Sequence, residues 1–348
     1  MKIFKRIILM ILVLFCLVSG SVIIIDPYFH YHKPLKFIKY FMDNNQQRYM
    51  NDGIVKNFNY DAIISGSSMT ENFKSSQFDE IFKTNSIKVP FSGASYKEID
   101  DIIEIALRNN KNIKYIFRGL DYNSFNSESE RMSYDSYPYY LYDNNIFNDY
   151  KYILSKGSFF QCLINIFSSF SDNKEINFDE YSSWRNKVKG KDVVLRLNKR
   201  LEEKESKKEL LKEDIERIEK NLEKNVLDMP KKYSNVKFIY FITPYSIVYW
   251  DSLNQNGILE KQIMAEKYMI EKILEVPNIE LYSFFNNYEL ICNLDNYTDA
   301  GHYYWEINDK ILEWISKKEY LLTKDNYQEY INKNLEFYKN YNYDKIYE

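Results

Sequence analysis

Apolar positions fall along this chain in three different rhythms. The first is unbroken: after Lys2, Lys5 and Arg6, residues Ile7 to Ile25 carry no charge. As a helix that run spans roughly 28 Å, enough to cross the hydrocarbon core of a bilayer. The basic flank predicts a cytoplasmic N-terminus, with the remainder outside the cell. A cleaved signal peptide is the rival reading. The run is long for a signal core, and Leu17-Val18-Ser19-Gly20-Ser21 is a weak cleavage site, so a retained anchor is preferred. Cys16 does not create a lipoprotein signal, because Phe15 is too bulky before a lipidated cysteine.

The second rhythm is a set of short apolar runs, at Asp61–Ser65, Ile87–Phe91, Ile113–Phe117, Val236–Ile242 and Ile279–Phe284. Their length predicts buried strands. The third has helical spacing. Ser95 and Glu98 form a capping box ahead of Ile99, Ile102, Ile103 and Ala106. A second helix is expected over Ile258–Leu274, and a third through Trp305, Ile307, Ile311, Leu312 and Ile315. Strands alternating with helices predict an α/β fold: a three-layer parallel sheet with helices on both faces. Ligands then bind at the carboxyl ends of the strands.

The alternation fails between about Asn126 and Tyr233. There the chain has a Tyr-rich loop (Tyr134 to Tyr142), an apolar helix (Tyr152 to Phe170) and a charged run from Arg196 to Lys224. Leu211, Ile215, Ile218 and Leu222 give that run a short seam, which predicts a solvated helix packing on its own domain rather than a coiled coil. The expected division is 1–25 cytoplasmic tip and anchor, 26–59 juxtamembrane segment, 60–127 first half of the domain, 128–235 helical insertion (a candidate lid), 236–319 second half, and 320–348 C-terminal tail.

Composition narrows the function. The net charge of −3 implies no polyanion partner, and nucleic acid is not expected. Of the three cysteines, Cys162 and Cys292 could pair in an exported protein, but their spacing does not say so. His30 and His32 place two imidazoles on one side of an extended segment beside the anchor. A third metal ligand is not evident, so headgroup contact or packing is preferred, and neither metal nor cofactor is expected. The many tyrosines suit sugar stacking as well as ordinary packing.

His302 is the only histidine beyond the membrane-proximal pair. Asp299 stands three residues before it, at an expected helix start, where the two would share a face. A carboxylate that orients an imidazole is two-thirds of a nucleophilic triad. The serine comes from Ile63-Ile64-Ser65-Gly66-Ser67-Ser68-Met69, just past a strand, with Ser68 as the nucleophile. Its hydroxyl needs a base, and the oxyanion needs donors already in place. The backbone N–H groups of Ser68 and Gly93 are the candidates. The G-x-S-x-G elbow is absent, since Thr70 stands where its second glycine would be. The bland alternatives are Ser67 or Ser68 as a helix cap, Asp299 as an N-cap and His302 as a packing residue.

These blocks resemble the SGNH (GDSL-type) hydrolase superfamily. Gly66-Ser67-Ser68-Met69 looks like its first block, Ser92-Gly93-Ala94 like its second and Asp299-Ala300-Gly301-His302 like its last. With Phe241 to Ser246 and Asn296 to Asp299, the phrasing is similar to membrane-anchored envelope members such as the D-alanyl transfer protein of teichoic acid synthesis and the alginate O-acetylation proteins. The resemblance covers about 60–127 and 235–317. It implies an SGNH/flavodoxin-like sheet and a serine esterase or O-acyltransferase in the cell membrane, facing the envelope. It also implies a polysaccharide or teichoic-type substrate and, by analogy, a membrane acyltransferase partner. Two departures stand out. Ser67 replaces the aspartate of G-D-S, and Asp121 replaces an amide donor in Gly119-Leu120-Asp121-Tyr122. An ionised carboxylate repels an oxyanion, so either Asp121 instead binds a substrate hydroxyl or amine, or Asn123 or Arg118 takes over as the donor. The alternative is an inactive site that binds glycan or serves in assembly.

Overall fold

The computed structural model describes residues 2–42, 44–171, 177–202 and 204–348. Residues 172–176 of the insertion and residue 203 of the charged run lie outside that set. The chain runs through α1 (Lys2–Ile25), α2 (Gln47–Asn57), β1 (Ala62–Ser65), α3 (Ser75–Phe82), β2 (Ser86–Lys88), α4 (Tyr96–Asn109) and β3 (Tyr115–Leu120). The long β3-to-β4 crossover holds α5 (Tyr139–Tyr142), α6 (Tyr150–Ile153), α7 (Lys156–Ser169), α8 (Lys191–Leu197), α9 (Lys212–Leu222) and α10 (Asp228–Lys232). Then come β4 (Lys237–Ile242), α11 (Ile247–Gln255), α12 (Leu259–Ile273), β5 (Ile279–Ser283), α13 (Tyr288–Cys292), α14 (Trp305–Ser316), β6 (Leu321–Leu322) and α15 (Tyr327–Asn340).

The six strands form one sheet in the order β2-β1-β3-β4-β5-β6. The first five are parallel and β6 is antiparallel to β5. Strand β1 sits between β2 and β3, so the connections leave it to opposite sides, and a crevice opens at its carboxyl end. Residues of β1 and β3–β5 are almost all buried, as expected of parallel strands covered by helices. The Ser95–Glu98 capping box is formed and starts α4, whose apolar stripe is buried.

Strand β2 is shorter than the expected Ile87–Phe91 run, although Val89 and Phe91 still donate to the carbonyls of Ile64 in β1 and Gly66 just beyond it (2.8 and 2.9 Å). Pro90 falls on the outer side of this edge strand, where no ladder donor is needed. Its Lys88 is fully buried on the sheet's edge. The ammonium donates to the carbonyls of Glu71 (2.5 Å), Phe73 (3.0 Å) and Asp179 (3.4 Å), tying the segment after Ser68 to the insertion.

Two segments differ from their sequence reading, while the charged run packs on its own domain as expected. Residues 320–348 are not a loose tail: they supply β6 and α15, and α15 packs on α12. Tyr338 stacks on Trp250 at 3.8 Å between ring centroids, and Tyr330 donates to buried Glu266. Residues 26–59 are likewise integrated, since α2 buries Met50, Ile54 and Val55 against the domain. The charged run forms α9, which continues through a π-turn into α10 and packs on α4 and α12 of its own domain. Cys162 and Cys292 are both free thiols.

Helix α1 is apolar and long enough to cross a membrane, and most of its surface is exposed. It enters the domain through a tight turn. The buried Asp26 carboxylate accepts the N–H groups of His30, Tyr31 and His32 at 2.7–2.9 Å, and the Tyr152 hydroxyl at 2.7 Å. His30 packs among Tyr31, Tyr152 and the carboxylates of Asp52 and Asp149. The His32 ring lies against the carbonyls of Lys33 and Ile24. Among the described residues no cluster could hold a metal ion.

Candidate active site

The turn that carries Ser68 is built from glycine geometry. Beyond β1 the chain passes Gly66 at φ 152° and starts a 3-10 turn at Ser68–Thr70, capped by the Ser67 hydroxyl. A Cβ on Gly66 would meet the Thr70 methyl at 2.6 Å, and one on Gly119 of β3 would meet it at 2.8 Å. Thr70, in the place of the missing elbow glycine, therefore fills the space that both glycines leave. The turn's carbonyls are fixed from three directions: Tyr303 and Asn308 donate to Met69 (2.8 and 3.1 Å), and the Trp184 indole donates to Ser68 (3.2 Å).

Asp299 and His302 lie in a bend ahead of α14, not on its first turn, which corrects the sequence reading. Tyr297 and Tyr303 bridge at the base of this bend, and Thr298 donates its N–H to the His302 carbonyl at 2.8 Å. The bend needs no helix to align the pair. Asp299 Oδ1 accepts the N–H groups of Gly301 (2.9 Å) and His302 (2.8 Å), an Asx-type turn that folds the chain back on its own carboxylate.

The three side chains meet in one line. Ser68 Oγ lies 2.8 Å from His302 Nε2, and His302 Nδ1 lies 2.8 Å from Asp299 Oδ2. With the proton on Nδ1, Nε2 is free to accept from the serine. Burial alone would raise the Asp299 pKa. The His302 ring and the two backbone N–H groups outweigh it and hold the carboxyl below its usual range, so it stays ionised and fixes the imidazole.

Ser68, Gly93, Asp121, Asn123, Asp299 and His302 all line one cleft of about 460 Å³ at the carboxyl end of the sheet. Gly93 takes φ 63°, a conformation strained for any residue with a side chain. Among the described residues no acceptor takes the N–H of Gly93 or Ser68. Asp121 is buried. Tyr245 donates to its Oδ1 at 3.1 Å, while Oδ2 has no partner. Burial pushes its carboxyl pKa up, only partly offset by the Ser67 and Tyr245 hydroxyls. The Asn123 amide oxygen accepts the Tyr249 hydroxyl at the rim.

Arg118 is not brought to the site. Its guanidinium is buried behind β3, where it donates to the carbonyl of Asn225 at 2.7 Å and stacks near Tyr96 and Tyr240. Strand alternation turns it to the opposite side from the cleft. In turn, the structure adds Trp184, whose ring stands edge-on to His302 at 5.6 Å. Nothing in the sequence marked Trp184, because it comes from the insertion, outside any motif. Its segment is tied down on both sides, by Trp184 N–H to Asn72 (2.9 Å) and by Gly190 N–H to the Tyr297 carbonyl (2.9 Å).

Compared with known proteins, the chain matches no family model, and no curated protein matches it significantly.

Proposed function

We propose that this chain is an SGNH-like serine esterase or O-acyltransferase, anchored in the cell membrane by α1 with its N-terminus in the cytoplasm and its cleft facing the envelope. The observation that carries this reading is the Ser68–His302–Asp299 line, at 2.8 Å for both contacts. Ser68 attacks an acyl ester while His302 Nε2 takes the hydroxyl proton. The N–H groups of Ser68 and Gly93 face the developing oxyanion. The leaving alkoxide takes the proton back, and an acyl-Ser68 ester remains. His302 then removes a proton from an incoming hydroxyl, which attacks the same carbonyl and releases Ser68. A sugar or polyol hydroxyl gives transfer, and water gives hydrolysis. An aromatic and polar rim with Tyr245 and Tyr249 suits a polysaccharide or teichoic-type polymer. A membrane acyltransferase is the partner that such a reaction calls for as acyl source.

A serine-directed fluorophosphonate tests the chemistry. It should label Ser68 in the wild-type chain and fail to label His302→Ala, since the alkoxide needs its base. Absence of labelling in the folded wild type would leave a glycan-binding or assembly role. Protease treatment of spheroplasts should digest the body of the protein. Recovery of a soluble form starting near residue 20 would instead identify α1 as a cleaved signal.

A further inference from the structure

Helix α7 is built inside out. Its buried residues are Ser158, Gln161, Cys162 and Asn165, while Phe160, Ile164 and Phe167 face outward. The outward positions recur at i, i+4 and i+7, one stripe of a helix. From Gly157 to Ser171 the segment carries no charge. Phe167 is 69% exposed, and Phe170, just past the helix, is 86% exposed. A helix of a water-soluble surface has the reverse arrangement.

The inward polar face has its own work. Gln161 donates to the Phe41 carbonyl (2.8 Å), Asn165 accepts the Phe41 N–H (2.9 Å) and Ser169 accepts the Lys39 N–H (2.8 Å). These bonds hold the 34–42 loop beside α7, and that loop exposes Phe37 and Phe41. Lys36 is exposed on the same loop and Lys156 at the start of α7, where basic side chains flank the aromatic surface.

The position of α7 relative to α1 decides what covers this surface. Cys162 contacts the Ser21 carbonyl at 3.7 Å, and Val22 is fully buried where α1 meets α7. Ser21 lies four residues before the end of the apolar run at Ile25, about 6 Å deep along the helix. If α1 spans the bilayer, a helix packed at that level lies within the 5–10 Å depth of an interfacial helix. The stripe is then continuous with the lipid-facing surface of α1.

We propose that α7 and the 34–42 loop form a second, monotopic membrane contact, in which Phe160, Ile164, Phe167 and Phe37 enter the outer-leaflet interface of a phospholipid bilayer. This rests on the reading of α1 as a retained membrane span. Apolar side chains take the acyl boundary, and Lys36 and Lys156 reach back to headgroup phosphates. The catalytic domain is thereby held at two points rather than one.

The test uses the full chain reconstituted into vesicles of phosphatidylcholine and phosphatidylglycerol, with the photo-crosslinker benzoylphenylalanine at position 9, 164, 167 or 333. Positions 164 and 167 are exposed, so the substitution leaves the fold intact, and cooperative unfolding checks it. Lipid adducts at 9, 164 and 167, with position 333 on α15 at least ten-fold lower, are expected. Adducts at 9 with 164 and 167 as low as 333 would overturn the interfacial contact while leaving the anchor standing. No adduct at position 9 would remove the anchor and this proposal with it. In native membranes, a protein adduct in place of lipid at 164 and 167 would assign the stripe to a partner's helix and overturn the lipid contact.

Discussion

The indole N–H of Trp184 donates to the carbonyl oxygen of Ser68 at 3.2 Å. A residue of the insertion therefore holds the backbone of the candidate nucleophile, and its ring stands perpendicular to that of His302 at 5.6 Å between centroids. Trp184→Phe keeps the ring and removes the hydrogen bond, a loss of about 1 kcal/mol. Turnover of a simple acetyl ester should fall roughly five-fold. Steady-state kinetics check this, and wild-type kcat in Trp184→Phe would detach the insertion from the chemistry.

Ser68→Ala and His302→Ala should each abolish that turnover, and the double variant should be no worse than either single. Residues acting as one unit give non-additive losses, here on the order of 10³-fold or more. Asp299→Asn should cost less than either, because its two backbone hydrogen bonds hold the bend even without the charge. Activity in Ser68→Ala with its loss in Ser67→Ala would move the nucleophile by one residue.

Asp121 puts a carboxyl where the resembling families carry an amide, and it is buried with one oxygen unpartnered. Burial favours its neutral form, which can donate a hydrogen bond as an amide does. Ionisation as pH rises above the ordinary carboxylate range would convert that donor into a repelling charge. Asp121→Asn should therefore leave small-ester hydrolysis nearly unchanged at the acidic end of the pH profile, where the carboxyl is protonated, and raise it about ten-fold or more wherever the carboxyl is ionised, since one donor is worth roughly 3 kcal/mol. If Asp121 holds the natural acceptor, the same change will lower polymer acylation and spare the small ester. Equal rates across the pH profile and on both substrates would make it a turn residue.

Glu266 supplies a stability test away from the cleft. Burial pushes its carboxyl up to about 7, against hydrogen bonds from Tyr330 and Tyr122. A folded-state pKa above the unfolded value means that the fold binds the proton more tightly. The resulting stability is complete below the unfolded carboxylate range and is lost as pH rises through about 7. Glu266→Gln keeps a neutral side chain throughout. Between pH 5 and 9 it should flatten the denaturation profile and gain about 2 kcal/mol over wild type at the alkaline end. Parallel profiles for the two proteins would refute this.

The sheet was legible because buried parallel strands leave dense apolar runs, and Ile63-Ile64, Ile116-Phe117 and Phe238 to Ile242 do so. Their ends moved by a few residues, since strand limits depend on partners that no local pattern names. The candidate site was legible because chemistry concentrates in rare residues: one histidine apart from His30 and His32 leaves little choice. The bend around Asp299 was misread as a helix start, because an aspartate accepting N–H groups two and three residues on is shared by both structures. The C-terminal segment was misread for another reason. Its Tyr- and Asn-rich composition resembles a solvated tail, and only tertiary partners such as Trp250 and Glu266 show that Tyr338 and Tyr330 are core.

The Asp26 turn sets the mechanics of the whole molecule. Four donors converge on one buried carboxylate at the point where the chain leaves α1. A protein on a flexible leash sweeps a hemisphere of solution, and its reach is set by linker length. Here the leash has been replaced by a welded joint. If α1 is the retained anchor and the cleft the acyl-transfer site proposed above, the cleft travels with the lateral drift of that anchor at one height and one tilt, so a substrate must come to that altitude to be modified, and chain length beyond it goes unread.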